Sequence, residues 1–169
     1  MFGSIIVLVN QRAFENGNFY CPWEDYEMRN FIMRCDYVGR DDPKAFKEAI
    51  GCFAETYDLP EIQIQSLDLE GEQAPVAILR SHHIEALKYA LDRRMAQRIL
   101  MVKAELKKPE PSLWHIAHKA YNFSPVYFAC PEEGFFNEVS FHLTLPVLVD
   151  GSGNGNARFY ITETHEFHV

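Results

Sequence analysis

Three side chains suited to acid–base or metal chemistry fall near the C-terminal end of the chain: His142, Glu166 and His168. Val139, Phe141, Leu143, Leu145, Val147 and Val149 alternate along one segment, and Phe159, Ile161, His165, Phe167 and Val169 share one parity in the next. This period of two predicts a closing β-hairpin. With the apolar faces of that hairpin aligned, His142 stands opposite Glu166, Ser140 opposite His168 and Thr144 opposite Thr164, all within side-chain reach. A neutral imidazole beside a carboxylate is a general base with an orienting partner. Two imidazoles and a carboxylate also suit a divalent metal. Ser, Thr, His and Glu equally decorate an ordinary solvated sheet face.

The tetrad His142-Leu143-Thr144-Leu145 resembles one half of the motif of the two-histidine phosphoesterases, in which two H-x-T strands face each other across a phosphate. The resemblance implies a small His-dependent hydrolase. It spans this tetrad alone, and no second H-x-T or H-x-S occurs in the chain.

Other constellations read more plainly. His115 and His118 lie three apart, whereas metal-binding helices favour a spacing of four with a carboxylate, so a packed histidine is expected there. Gly151-Ser152-Gly153-Asn154-Gly155 lacks the following helix that a phosphate loop needs, and reads as a hairpin tip. Ser81, Ser112 and Ser140 lack the glycines of a nucleophile elbow. Cys21, Cys35, Cys52 and Cys130 contain no C-x-x-C pair and are expected to be reduced and packed. No metal and no cofactor is expected.

A second kind of site lies in the loops. Tyr20, Trp23, Tyr26 and Phe135 sit beside Glu24, Asp25, Glu132 and Glu133. Aromatic rings among carboxylates suit a protein partner with a basic surface. Charge along the chain points the same way. The net charge is -8, but residues 1–75 carry -8, residues 76–120 carry +5 and residues 121–169 carry -5. An acidic chain overall excludes broad electrostatic binding to nucleic acid, which needs cations gathered on one face. Arg93, Arg94, Arg98 and Lys103 are a local exception.

The elements that must position these residues follow from pattern. Strands are expected over 4–14, 19–23 and 31–38, with Asn16-Gly17 as a turn. Asp42-Pro43 starts a helix with Phe46, Ala49, Ile50 and Phe53 inward. Strands follow at 61–69 and 75–80. A long helix over 82–107 carries the stripe Ile84, Leu87, Leu91, Met95, Ile99, Val102 and Leu106. A short helix over 111–121 and a strand over 126–130 precede the closing hairpin.

Hydrophobic residues are 47% of 169, enough for one domain over 1–169 without staples. No stretch approaches the roughly 20 apolar residues of a membrane span. The start of the chain lacks a basic n-region and reads as a strand, so a cytoplasmic location is expected. The expected fold is α+β: a largely antiparallel sheet covered on one face by one long helix and two shorter ones. The expected role is a non-enzymatic interaction protein, an inhibitor or regulator docking a basic macromolecule through loops 15–27 and 132–138. Nucleic-acid-handling machinery is the partner class this suggests. Self-association through Leu100 and Met101 of the long helix is a further expectation.

Overall fold

The computed structural model describes residues 2–121, 125–150 and 158–169, the side chain of Tyr121 excepted. The elements run β1 (Phe2–Asn10), α1 (Gln11–Glu15), α2 (Tyr26–Ile32), β2 (Tyr37–Arg40), α3 (Pro43–Tyr57), β3 (Gln63–Leu69) and β4 (Glu72–Leu79). They continue with α4 (Ser81–Leu106), α5 (Leu113–Tyr121), β5 (Val126–Cys130), β6 (Gly134–Asn137), α6 (Glu138–Asp150) and β7 (Phe159–His168). The glycine-rich turn expected over 151–156 lies outside the described residues.

Ile5 to Val9 are apolar without interruption, as a strand covered on both faces requires. β1 accordingly sits inside the sheet, with β7 antiparallel along its whole length and β5 parallel on its other side. The sheet has seven strands in the order β3-β4-β7-β1-β5-β6, and β2 pairs with the end of β7. Apart from β1 and β5, the described pairs are antiparallel. The fold is therefore α+β with a mostly antiparallel sheet.

Helices pack on both faces of that sheet, not on one. Ile6, Leu8, Phe128 and Ile161 meet α3, α4 and α6 through Phe53, Leu87, Leu91 and Phe141. Ile5, Val7, Val9 and Phe167 meet the short α1 and α2 through Ala13 and Met28. A central strand that is apolar on both sides could not stay in water on one of them. Asp42 caps α3 as expected, its carboxylate accepting from the N–H of Ala45 at 2.8 Å.

Three expected strands are absent or shortened. Residues 19–23 form a loop, and of the strand expected over 31–38 only Tyr37 and Val38 are in β2, the helix capped by Asp25 running on to Ile32. The larger correction is Val139–Val149, which is helix α6. Its inward residues, Phe141, Leu145 and Leu148, follow helical spacing, while Leu143 and Val147 of the alternation that suggested a strand are exposed. Phe141 stacks on Phe128 with centroids 3.8 Å apart, which seats α6 on the sheet. The hairpin of the C-terminal half is β5–β6, while β7 pairs with β1, β4 and β2.

The stripe of α4 is also only partly internal. Ile84, Leu87 and Leu91 are buried, whereas Ile99 and Leu106, towards the end that packs on α5, are more than half exposed. Glu105 ties the two helices, with Lys108 at 2.8 Å and Lys119 at 2.9 Å.

Candidate functional site

The site begins with an irregularity in β7. Val7 pairs with Glu163 but Leu8 pairs with Ile161, so Thr162 is an extra residue on its strand. Such a bulge re-aims the side chains beyond it. Ile161 joins the face of α3, α4 and α6, while Glu163 and His165 emerge opposite Val7 and Ile5 on the face of α1 and α2. The single parity expected for Ile161, His165 and Phe167 is thereby split between two faces.

The bulge also anchors the loop that covers this place. The Thr162 hydroxyl donates to the Phe19 carbonyl, and the Cys21 N–H donates to Glu163 Oε2 at 3.0 Å. Arg40 Nε reaches Glu163 Oε1 at 2.9 Å. His165 Nε2 lies 3.3 Å from Glu163 Oε2, and its Nδ1 is buried with no hydrogen-bond partner among the described residues. Trp23 meets the His165 ring edge-on at 5.0 Å. The candidate ligand atoms of Cys21, Glu163 and His165 lie within 4.8 Å of one another, and all three residues are buried. Burial alone would raise the Glu163 pKa, but His165, the Cys21 N–H and Arg40 together hold it below the usual carboxylate value. Burial, and then the Glu163 charge, push the Cys21 thiol up.

Above this cluster lies the acidic aromatic surface. The two loop regions named from sequence converge: the Asn18 side-chain amide donates to Glu132, and Asp25 lies beside Gly134. Tyr26 is 78% exposed, with Tyr20 and Trp23 partly open. Glu24, Glu132 and Glu133 are exposed, and among the described residues no Lys or Arg forms an ion pair with them. Asp25 is engaged as the cap of α2, accepting from Met28 N–H at 2.9 Å. Phe135 is not part of this surface. Its parity in β6 turns it inward, where it is 5% exposed and stacks on Tyr127 at 5.3 Å.

The expected catalytic trio is not assembled. His142 is on α6, where Nε2 lies 2.6 Å from Asp92 Oδ1. Their cleft of about 250 Å³ is otherwise lined by Lys88, Leu91, Leu143, Leu145 and Pro146 and presents no Ser, Thr or Cys nucleophile among its lining residues. Glu166 and His168 are on β7, opposite Ser4 and Phe2 of β1. His168 Nδ1 faces Asp36 at 3.4 Å. The trio depended on pairing residues 139–149 with β7, and a helix has no such register. Of the basic residues of α4, Arg94 and Arg98 are engaged by the buried Glu138. His118 stacks on Trp114 with centroids 4.9 Å apart, as a packed histidine should.

Cys21, Arg40, Glu163 and His165 escaped the sequence reading. A local signal did exist, because Glu163 and His165 follow the apolar start Phe159-Tyr160-Ile161 of a strand. The chain matches no protein-family model, no curated protein and no solved structure.

Proposed function

We propose that this chain is an interaction protein that docks a protein with a basic surface, acting on it as an inhibitor or regulator. The convergence of residues 18–27 with 132–134 carries this reading. It joins carboxylates distant in sequence into one face, with Trp23 and Tyr26 as exposed anchors. Aromatic anchors bury area at little conformational cost, and unpaired carboxylates around them speed encounter with a cationic partner. A basic channel of nucleic-acid-handling machinery has the matching charge. The test uses two immobilised baits, the native chain and the E24K/E132K/E133K variant, in native lysate at low and high salt. A basic protein retained by the first bait, released by salt and absent from the second supports the reading. Equal retention on both baits, or none on either, rejects it. Self-association through α4 is a second partner reading, supported by the exposed Ile99, Leu100 and Leu106. Sedimentation of the native chain against L100E tests it.

A further inference from the structure

Cys21, Glu163 and His165 present a thiol, a carboxylate and an imidazole to one small buried volume. The imidazole is poorly satisfied by its neighbours. Its Nε2 sits 3.3 Å from Glu163, long for an N–H···O bond whose usual length is about 2.9–3.0 Å. Its Nδ1 has no hydrogen-bond partner among the described residues. The same 3.3 Å is close to the edge of a tetrahedron around zinc, roughly 3.3 Å for two ligands each about 2.0 Å from the metal.

We propose that Cys21, Glu163 and His165 bind one zinc ion. The donor set is the borderline mixture of sulfur, nitrogen and oxygen that suits zinc, and not the all-oxygen set of calcium or magnesium. Charge balances within the cluster: a thiolate and a carboxylate offset the two positive charges of the ion. On binding, the Cys21 thiol releases its proton to solvent, the Glu163 carboxylate and His165 Nε2 coordinate, and the ring hydrogen sits on Nδ1. Arg40, on Glu163 Oε1, fixes the carboxylate from outside, the role that surrounding hydrogen bonds play around metal ligands. Three protein ligands leave a fourth position for water. The ion would pin the loop of Tyr20 and Trp23 to β7, but the site stands on its own donors and does not require the docking role.

Cobalt substitution tests this directly. The full chain, stripped with chelator, is titrated with Co²⁺ and followed by absorbance, and zinc content is measured after reloading and dialysis. One zinc per chain and a thiolate-to-cobalt charge-transfer band are expected, both lost in C21S and H165Q and both kept in C130S. The charge-reversed docking variant is expected to keep the band, so failure of one proposal is distinguishable from failure of the other. No band from the natively folded chain, or a band that survives C21S, overturns the site. Because the first of these readouts uses the unaltered chain, misfolding of a variant leaves the test intact.

Discussion

Glu138 and Glu163 are both buried carboxylates, yet their surroundings differ in kind. Glu138 is fully buried, and its oxygens receive the Tyr57 hydroxyl at 3.0 Å, Arg94, and Arg98 at 2.7 Å. Two permanent cations and a phenol leave it nothing further to bind. Glu163 has a single guanidinium, from an arginine side chain that is 55% exposed, together with one backbone N–H and an imidazole at long range. A thiol and an unpartnered ring nitrogen complete its surroundings. Glu138 therefore clamps α6 to α4, whereas Glu163 holds open a set of donors. A buried charge whose neighbours match it incompletely is a candidate functional place.

Substitution separates the two. Glu138→Gln is expected to cost about 3 kcal/mol in urea denaturation, because Arg94 and Arg98 keep their charges without an opposite one. A loss below about 1 kcal/mol, the size of an ordinary hydrogen bond, would erase the contrast. Glu163→Gln in the metal-free chain is expected to cost less, about 1–2 kcal/mol, since one partly exposed cation and one N–H are affected. Thr162→Val removes the bond to the Phe19 carbonyl and is expected to cost about 1 kcal/mol, with faster amide exchange confined to residues 18–25.

The smallest effect concerns a third buried carboxylate, Glu105. Hydrogen bonds from Lys108 and then Lys119 hold its pKa down, to about 2 from an ordinary 4.5. Its contribution is thus present above pH 4.5 and lost as pH falls from 4.5 towards 2. Trp114 fluorescence in a Trp23→Phe background should report this transition, and Glu105→Gln should abolish it.

Local signals were readable where one period or one cap stood unopposed. Asp42-Pro43 and the spacing of Phe46, Ile50 and Phe53 specify α3 by themselves. Residues 139–149 fit two periods at once, and their β-branched composition favoured the wrong one. Pro146 did not decide between them, since a proline is badly placed both inside a paired strand and inside a helix. Loop convergence was legible only as a charge pattern, because the contact of Asn18 with Glu132 joins residues far apart in sequence. The cluster at Glu163 was hidden by one extra residue in a strand. No periodicity argument finds a bulge, and a bulge inverts every facing assigned beyond it.

β7 is the last of the described elements to be synthesised, yet it lies between β1 and β4. Until it emerges from the ribosome, the earlier strands have an unfilled slot and two unpaired edges. The nascent chain must hold β1 and β4 in waiting, then close the sheet in one late insertion that also delivers Glu163 and His165 beneath the loop of Cys21. Closure of the sheet and assembly of the buried donor cluster are in this way a single event.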